Sequence, residues 1–490
     1  MSKPNVLFIM TDQQRWDSLG CYGNSVIETA NLDWLASEGV VFENAYSSCP
    51  SCVPARASIM TGMHPWNTGI LGMGNGQGPM GGGFQHTLPG ELSKAAYHTQ
   101  GVGKMHFHPQ RLLNGFHSTF LDESGREESP GFISDYRQWF NRNKTGDFDI
   151  VDHGIDWNSW MARPYHAPEF LHPTNWTVNQ SIEALKRRDP SKPFFLMTSF
   201  ARPHSPYDAL PYYFDLYQKK QVPEPYVGDW ASIHDVEEDA AKPDAWRGVR
   251  SKGEIRRARA GYYGSIHHID HQIGRLLLYL QKIQQLENTL IIFTSDHGDM
   301  LGDHNLWRKT YAYEGSAHIP MIVRLPESLG KPSYKRIDAP VLLQDIMPTI
   351  LEATGTEIPE TVDGISMLGL IRGEQTERSY IHGEHCTCYS EEQEMQYLTD
   401  GRMKYIWLPR VGIEQLFDLT EGRDETINLA KKKEYSHELQ KWRARLVAEL
   451  SPRNAGLTDG DQLVNQSGKP YLTSPKYKER LDAWEREFKK

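Results

Sequence analysis

Runs of apolar residues alternate with helical spacings along the first three quarters of the chain. Continuous apolar runs predict strands that are buried on both faces, at residues 6–11, 194–200, 290–295 and 320–324. Apolar residues three and four positions apart predict a long helix over residues 255–283, and a short one that Asn31 caps and that contains Leu32, Leu35 and Ala36. This alternation is typical of an α/β fold, with a large mixed but mostly parallel sheet sandwiched by helices.

The pattern changes after about residue 365. Short strand-like segments follow at residues 380–384, 395–399, 404–407 and 414–419, and a helical spacing covers residues 434–449. We therefore expect an α/β domain over residues 1–365, a smaller subdomain with an antiparallel sheet and a helix over 366–450, and a tail over 451–490 that packs on the body. Seven glycines between residues 72 and 83 predict a loop beside the active site.

Composition excludes several classes of protein. The 53 basic and 63 acidic side chains leave a net charge of −10, which argues against nucleic acid as a partner. No apolar run reaches the roughly 18 residues of a membrane-spanning helix, and five cysteines in 490 residues exclude a disulfide-stapled miniprotein. The apolar run after Pro4 is too short for a secretory signal, so we expect a cytoplasmic protein, or a periplasmic or secreted one if a leader was removed.

Reactive side chains follow the predicted strands or begin a predicted helix. Because open α/β sheets bind ligands at the carboxyl ends of their strands, we expect these side chains to meet. Asp12 and Asp296 offer the oxygen ligands that a divalent cation prefers. The candidate residues are Asp12, Gln13, Cys52, Arg56, Lys104, His106, His204, Asp296, His297 and Lys309.

The segment Cys52-x-Pro54-x-Arg56, followed by a short helix and Thr61-Gly62, resembles the signature of the type I sulfatases. These are formylglycine-dependent enzymes of the alkaline phosphatase-like superfamily. Other motifs stand in the family's order: Asp12-Gln13, Lys104-x-His106, Pro203-His204, Asp296-His297, Lys309 and the segment 415–419. The resemblance implies an alkaline phosphatase-like fold and a sulfuric ester hydrolase, and we favour a carbohydrate sulfatase.

The resemblance also implies that Cys52 is a precursor. A formylglycine-generating enzyme would oxidise it to an aldehyde, which hydrates to a diol. One hydroxyl of a diol can attack sulfur and release the alcohol; deprotonating the other then expels sulfate by C–O cleavage, so that no second attack at sulfur is needed. A serine nucleophile would instead remain trapped as a sulfate ester.

Roles for the other residues come from the same resemblance. Arg56 is expected to hold the modified side chain, while Lys104 and Lys309 neutralise sulfate oxygens. His106 is expected to be the base that deprotonates the remaining hydroxyl, and His204 the acid that protonates the leaving alcohol. The expected ligands of one divalent cation are Asp12, Gln13, Cys52, Asp296 and His297.

Two departures from the family pattern bear on the metal and the substrate. Many members have aspartate where this chain has Gln13 and asparagine where it has His297, so calcium is favoured but manganese is admitted. Choline-sulfatase-like enzymes and phosphonate monoester or phosphodiester hydrolases share these pairs and remain alternatives, but Lys104-x-His106 favours sulfate esters. We expect a sulfated small molecule or oligosaccharide, preferably a uronate-containing glycan. Whether the chain forms a homo-oligomer is left open.

Overall fold

The computed structural model describes residues 3–73, 80–126, 128–330, 334–374 and 378–488. Its strands are β1 (Asn5–Asp12), β2 (Val40–Phe42), β3 (Ala45–Tyr46), β4 (His98–Gly103), β5 (Ser118–Leu121), β6 (Phe194–Pro203), β7 (Thr289–Ser295), β8 (His318–Ile319), β9 (Met321–Arg324), β10 (Lys335–Ile337), β11 (Val341–Leu342), β12 (Ile381–His385), β13 (Met395–Thr399), β14 (Met403–Leu408) and β15 (Ile413–Asp418). Its α-helices are α1 (Ala30–Ser37), α2 (Cys52–Thr61), α3 (Pro65–Thr68), α4 (Leu88–Lys94), α5 (Asp135–Asn143), α6 (Pro173–Arg187), α7 (Pro211–Lys219), α8 (Glu237–Ala240), α9 (Lys252–Lys282), α10 (Glu314–Ala317), α11 (Ile346–Ala353), α12 (Leu368–Arg372), α13 (Ser436–Leu450) and α14 (Pro475–Phe488).

Eight of the described strands form the main sheet, in the order β10-β2-β9-β7-β1-β6-β4-β5. Strand β9 runs antiparallel to its neighbours β2 and β7, whereas the other neighbouring pairs are parallel. Strand β1 lies in the middle, with Val6 opposite Phe195 of β6 and Leu290 of β7. The predicted mixed, mostly parallel sheet is confirmed, and its central strands are the continuous apolar runs of the sequence.

Helices cover both faces of this sheet. Alternate side chains of β1 enter two cores: Val6, Phe8 and Met10 pack into one, which includes residues of α2, α4 and α11. Leu7 and Ile9 pack into the other, together with residues of α1, α6, α7 and α9. Because successive side chains of a strand point to opposite faces, a strand buried on both faces is apolar along most of its length.

The prediction that Asn31 caps α1 is wrong. Helix α1 begins at Ala30, with Thr29 in the N-cap position. The Asn31 side chain instead donates to Asp270 Oδ2 of α9 at 2.8 Å, and Asp270 Oδ1 accepts from the backbone N–H of Leu32 at 2.8 Å. A carboxylate from a neighbouring helix therefore satisfies the free N–H groups at this helix start, which local sequence could not reveal.

Helix α9 begins three residues before its predicted start. Ser251 and Glu254 form a capping box, in which Ser251 Oγ accepts from the Glu254 N–H at 3.3 Å and Glu254 Oε2 accepts from the Ser251 N–H at 2.9 Å. These reciprocal bonds satisfy two N–H groups at the helix start. The helix therefore also includes Lys252 and Gly253. Neither residue has an apolar side chain, so the spacing of apolar residues could not indicate that the helix begins there.

The C-terminal part contains a separate antiparallel sheet, β12-β13-β14-β15, as predicted. Helix α13 contributes Trp442 and Leu446 to the core on this sheet. The tail contains α14, which the sequence pattern did not predict. It contacts the body through Ser474, whose Oγ donates to Trp66 O at 2.7 Å. The two predicted boundaries between the three segments, after residues 365 and 450, stay predictions. No helix in the described ranges has the length and apolar character needed to cross a membrane.

The glycine-rich loop predicted beside the active site includes residues 74–79, which lie outside the described residues. At its end, Met80 pairs with Phe107 in an isolated parallel bridge, just after the Lys104–His106 motif. The prediction of an active-site loop therefore stays a prediction.

Candidate active site

The carboxyl ends of four adjacent strands converge on one place. Asp12 ends β1, Lys104 follows β4, His204 follows β6 and Asp296 follows β7. Because β7, β1, β6 and β4 are neighbours that run in the same direction, their ends lie at one edge of the sheet. The fold therefore brings together residues that are up to 284 positions apart, as the sequence predicted.

Cys52 is the first residue of α2 and is fully buried, so its side chain lies at the positive end of a helix. Four groups surround its sulfur. Cys52 Sγ lies 3.2 Å from His297 Nε2, 3.3 Å from Lys309 Nζ, 3.6 Å from Asp12 Oδ1 and 3.8 Å from Lys104 Nζ. The candidate nucleophile is therefore enclosed by the lysines and by a set of potential metal ligands.

These surroundings make the thiol more acidic. Burial and Asp12 raise the pKa of Cys52, but Lys104, Lys309 and His297 outweigh them and lower it to about 7. The same positive charges would stabilise any anionic oxygen at this position. The pocket is thus arranged for negative charge on residue 52 and on a bound anion.

Asp12, Cys52, Asp296 and His297 each offer a ligand atom, and these atoms all lie within 4.8 Å of one another. The His297 ring is oriented for such a role, because its Nδ1 donates to Gly298 O at 2.9 Å. The lone pair is then on Nε2, which lies 3.8 Å from Asp12 Oδ1 and 3.6 Å from Asp296 Oδ1. Two carboxylates, an imidazole nitrogen and residue 52 around one point fit a divalent cation.

Arg56 holds the two carboxylates from the side opposite Cys52. Its Nε donates to Asp296 Oδ2 at 3.0 Å and its Nη2 to Asp12 Oδ2 at 3.1 Å, which leaves each Oδ1 directed at the ligand cluster. Its Nη1 donates to Ser199 Oγ at 3.0 Å and to Lys104 O. Arg56 thereby orients the acidic ligands, whereas the sequence predicted a contact with the modified side chain.

Asp12 is ionised in this environment. Burial raises the pKa of its carboxyl, but the positive charges of Lys104, Arg56 and Lys309 hold that pKa well below its usual value. Lys104 Nζ contacts Asp12 Oδ2 directly. The carboxylate is therefore charged at neutral pH, as a metal ligand has to be.

Lys309, His204 and Gln13 form a hydrogen-bonded chain beside Cys52. His204 Nδ1 donates to Ser205 O at 2.8 Å, so Nε2 accepts from Lys309 Nζ at 2.6 Å. Lys309 Nζ also donates to Gln13 Oε1 at 3.0 Å. Burial and Lys309 lower the pKa of His204 well below its usual value, so the ring is neutral. The ligand role of Gln13 stays a prediction, because its amide oxygen faces Lys309.

His106 lies at the edge of this group. Its backbone N–H donates to Glu123 Oε1 at 2.9 Å, and its Nε2 is 3.6 Å from Glu128 Oε1. Within the described ranges, no hydrogen bond joins His106 to Cys52. Burial and Arg126 lower the pKa of its imidazole well below the usual value, so the ring is neutral and able to accept a proton. Its role as base stays a prediction.

The sequence reasoning missed two groups that support the site. Asp299 accepts from Gln13 Nε2 at 2.5 Å and from Tyr207 Oη, and so fixes the glutamine side chain. It lies three residues after Asp296, so that spacing was a usable signal. His385 contacts Ser51, the residue before Cys52, from a strand of the C-terminal sheet, and nothing in the sequence connects those two positions.

Comparisons with known proteins agree with this geometry. The sulfatase family model matches residues 4–356, and a model described as N-sulphoglucosamine sulphohydrolase, C-terminal, matches residues 302–451. The chain is 45% identical over 474 residues to an arylsulfatase of Clostridium perfringens, with 94% of this chain and 97% of the relative covered. It is 30% identical over 349 residues to human iduronate 2-sulfatase, with 66% of this chain and 60% of that protein covered.

Solved structures share the fold. Phosphonate monoester hydrolase of Agrobacterium radiobacter superposes with a TM-score of 0.75 at 22% identity, covering 94% of this chain and 99% of that chain. A structure in complex with its substrate D-glucosamine-2-N,6-O-disulfate superposes with a TM-score of 0.72 at 21% identity, covering 92% and 98%. Fold and site define a hydrolase with an alkaline phosphatase-like fold. The chain belongs to the sulfatase family, and it is a sulfuric ester hydrolase.

Proposed function

We propose that this protein hydrolyses a sulfate ester of a sugar, with Cys52 converted to formylglycine and with a bound divalent cation. The observation that carries the proposal is the convergence of Lys104 Nζ and Lys309 Nζ on Cys52 Sγ, at 3.8 and 3.3 Å. Two ammonium groups beside one nucleophile suit a substrate with several anionic oxygens. Asp12 and Asp296 offer ligand atoms within 4.8 Å of the same sulfur, and a cation between them would complete the charge balance.

The residues that would hold the cation are Asp12, Asp296, His297 and the modified residue 52. Calcium is favoured because carboxylate oxygens predominate, and manganese is admitted because of the imidazole. When bound, such an ion supplies positive charge to the nucleophilic oxygen and the sulfate. Arg56 keeps both carboxylates oriented, because its guanidinium donates to the outer oxygen of each.

His204 is the proposed acid that protonates the leaving alcohol. Its Nε2 accepts from Lys309 in this arrangement, so it becomes an acid only after it takes up a proton. Lys309 orients the ring, and its remaining N–H groups are near Cys52 and Gln13. On the other side, the neutral His106 is the proposed acceptor of the diol proton.

The sugar part of the proposal is supported by relatives rather than by the catalytic groups, which would contact only the sulfate. The match to iduronate 2-sulfatase over two thirds of this chain favours a sulfated saccharide, and a uronate-containing glycan oligosaccharide is the preferred class. The chain is also 30% identical over 448 residues to a choline-sulfatase of Rhizobium meliloti, so a small sulfate ester is the second candidate.

Two measurements test the proposal. Mass spectrometry of the peptide that contains Cys52, from cells with a formylglycine-generating enzyme, should show the aldehyde. Sulfate release should then be measured on a panel of sulfated saccharides and on choline sulfate, and phenol release on a phenyl phosphonate monoester, with Cys52→Ala as the control. Full activity with an unmodified thiol contradicts the mechanism. Faster turnover of the phosphonate, with little loss in Lys104→Ala, contradicts the reaction class.

A further inference from the structure

A cavity of about 640 Å³ lies near His106, and the metal and sulfate positions described above do not use it. One of its lining residues, Arg126, has its Nε 3.8 Å from Glu128 Oε1, and His106 Nε2 is 3.6 Å from the same oxygen. The volume of the cavity falls within the range of small-molecule sites, roughly 300–1,000 Å³. The side chains that matter here are Asp122, Arg126, Tyr136, His153, Asp156 and Trp157. They come from the segment that follows β5, from α5 and from the loop after α5.

Two hydrogen-bonded connections tie this cavity to the candidate catalytic residues. On one side, Glu123 Oε1 accepts from the backbone N–H groups of Met105 and His106, both at 2.9 Å, and so fixes the segment that contains Asp122 and Arg126. On the other side, Ser205 Oγ, next to His204, donates to Ser159 O at 2.6 Å. The walls of the cavity are therefore attached to the predicted base and the predicted acid.

Trp157 is the aromatic side chain of this lining that has no ring partner. It is half-buried on a loop, and it stacks on no aromatic ring among the residues with described coordinates. It also belongs to none of the hydrophobic cores of the described chain. Gly125 lies against its edge, where a Cβ would be 3.4 Å from Trp157 Cη2. A half-buried indole facing a cavity is a stacking surface for a ring.

Arg126 provides hydrogen-bond donors beside that indole. Its guanidinium makes no hydrogen bond within the described ranges, and its ion pairs with Glu123 and Glu128 are long, at 3.7 and 3.8 Å. By contrast, Arg202 of the same lining is satisfied by Asp208, at 2.6 and 2.8 Å. Arg126 therefore has N–H groups to spare for a ligand.

The lining distinguishes between classes of alcohol. A simple aryl ring would cover Trp157 but would leave Arg126, Asp122 and Asp156 facing an apolar surface, which is costly. A pyranose ring has an apolar face for the indole and hydroxyls at its edge for the charged groups. The combination therefore favours a saccharide over an aryl group.

We infer that this cavity binds the sugar ring of the substrate, stacked on Trp157, with the Arg126 guanidinium donating to a hydroxyl or carboxylate oxygen of that sugar. The inference rests on the proposed sulfatase function and adds two specificity-determining residues to it. It predicts that the affinity for a sulfated sugar depends on Trp157 and Arg126, and that the rate of sulfate ester cleavage itself does not depend on Trp157.

The test uses aldehyde-bearing full-length enzyme with three probes: 4-nitrophenyl sulfate, a sulfated heparin disaccharide, and the same disaccharide with its carboxyl reduced. Trp157→Ala should raise KM for both disaccharides about tenfold, as expected for loss of one stacking contact and its buried area. Its kcat for 4-nitrophenyl sulfate and for the disaccharides should stay within about twofold of the wild type, because Trp157 does not contact the sulfate in this proposal. Trp157→Phe should recover most of the loss, and Trp34→Ala, at a partly exposed position on α1, should match the wild type.

Arg126→Ala should raise KM about tenfold on the disaccharide as well. A loss confined to the carboxylate form identifies a carboxylate contact, and an equal loss on the reduced form identifies a hydroxyl; both support the inference. Unchanged KM for the disaccharides in both variants, or a loss in Trp157→Ala that is confined to kcat on all three probes, overturns it. If the aldehyde-bearing wild type cleaves no sulfate ester, the proposed function itself fails, and this inference fails with it.

Discussion

The hydroxyl of Ser51 lies 2.8 Å from Nε2 of His385, which connects the residue before the nucleophile to the C-terminal sheet. His385 Nδ1 donates to Cys386 O at 2.6 Å, so Nε2 carries the lone pair and Ser51 is the donor. Burial lowers the pKa of His385 to about 4, so the ring is neutral at pH 7. The start of α2, and with it residue 52, is therefore positioned in part by a strand from the other end of the chain.

A double-mutant cycle on this pair should show coupling. His385→Ala leaves the Ser51 hydroxyl buried without its acceptor, and we expect it to lower the free energy of unfolding by about 2 kcal/mol. Ser51→Ala in the same background should cost less than it does alone, with a coupling energy of about 1 kcal/mol. Urea unfolding of the four proteins measures this. Strictly additive losses would show that the contact contributes nothing to stability.

Removing the cation should inactivate and destabilise the protein. With EDTA, we expect sulfate release to stop and the melting temperature to fall, because a ligand at about 100 times its Kd stabilises the folded state by about 3 kcal/mol. Calcium or manganese, added separately, should restore both properties and identify the preferred ion. Asp12→Asn should abolish the response of the melting temperature to metal.

The second group of potential ligands provides the control for that experiment. His64, His382 and Glu384 also offer closely spaced ligand atoms, but Arg453 already donates to Glu384 Oε2 at 2.7 Å. The Arg453 guanidinium therefore supplies the positive charge that a metal ion would bring to this group. His64→Ala should retain the full response to calcium, and loss of that response would move the metal site to this cluster.

Asp122 should make stability depend on pH. Burial raises the pKa of its carboxyl to about 6, although Arg202 opposes the shift. The folded protein binds this proton more tightly than the unfolded chain, whose carboxyl has a pKa near 4. The resulting stability is fully present below pH 4 and is lost as the pH rises through 6. Asp122→Asn should therefore match the wild type at pH 4 and exceed it by about 3 kcal/mol at pH 8. Urea unfolding at each pH checks this, and parallel profiles for the two proteins would refute it.

Gly103, the last residue of β4, should not tolerate a side chain. Its φ is +96°, and a Cβ would lie 1.9 Å from Ser199 O, the atom that accepts from the Lys104 N–H at 2.9 Å. We expect Gly103→Ala to displace Lys104 and to lower the free energy of unfolding by about 2–3 kcal/mol. Because Lys104 lies beside the nucleophile, kcat should fall as well, so that kcat/KM decreases by more than the rise in KM. Gly253→Ala, in α9 with nothing within 4 Å, is the matched control and should be neutral or stabilising.

Strand positions were predictable because each central strand of the sheet is buried on both faces. The uninterrupted apolar residues 6–10 and 290–293 are typical of that setting, so pattern alone located β1 and β7. Helix starts were less predictable. The start of α1 is satisfied by Asp270, which is 238 residues from Leu32, and such a partner leaves no local trace.

The sequence by itself determined the chemistry of the site: the motif around Cys52 is short and local, and the parallel strands bring Asp12, Lys104, His204 and Asp296 to one edge. Only the tertiary structure decided how these groups are held. Arg56 binds the outer oxygens of the two carboxylates, His385 reaches Ser51, and Trp157 faces a cavity. The physical reason is that side-chain chemistry is a property of each residue, whereas contacts between distant segments depend on how whole helices and sheets pack.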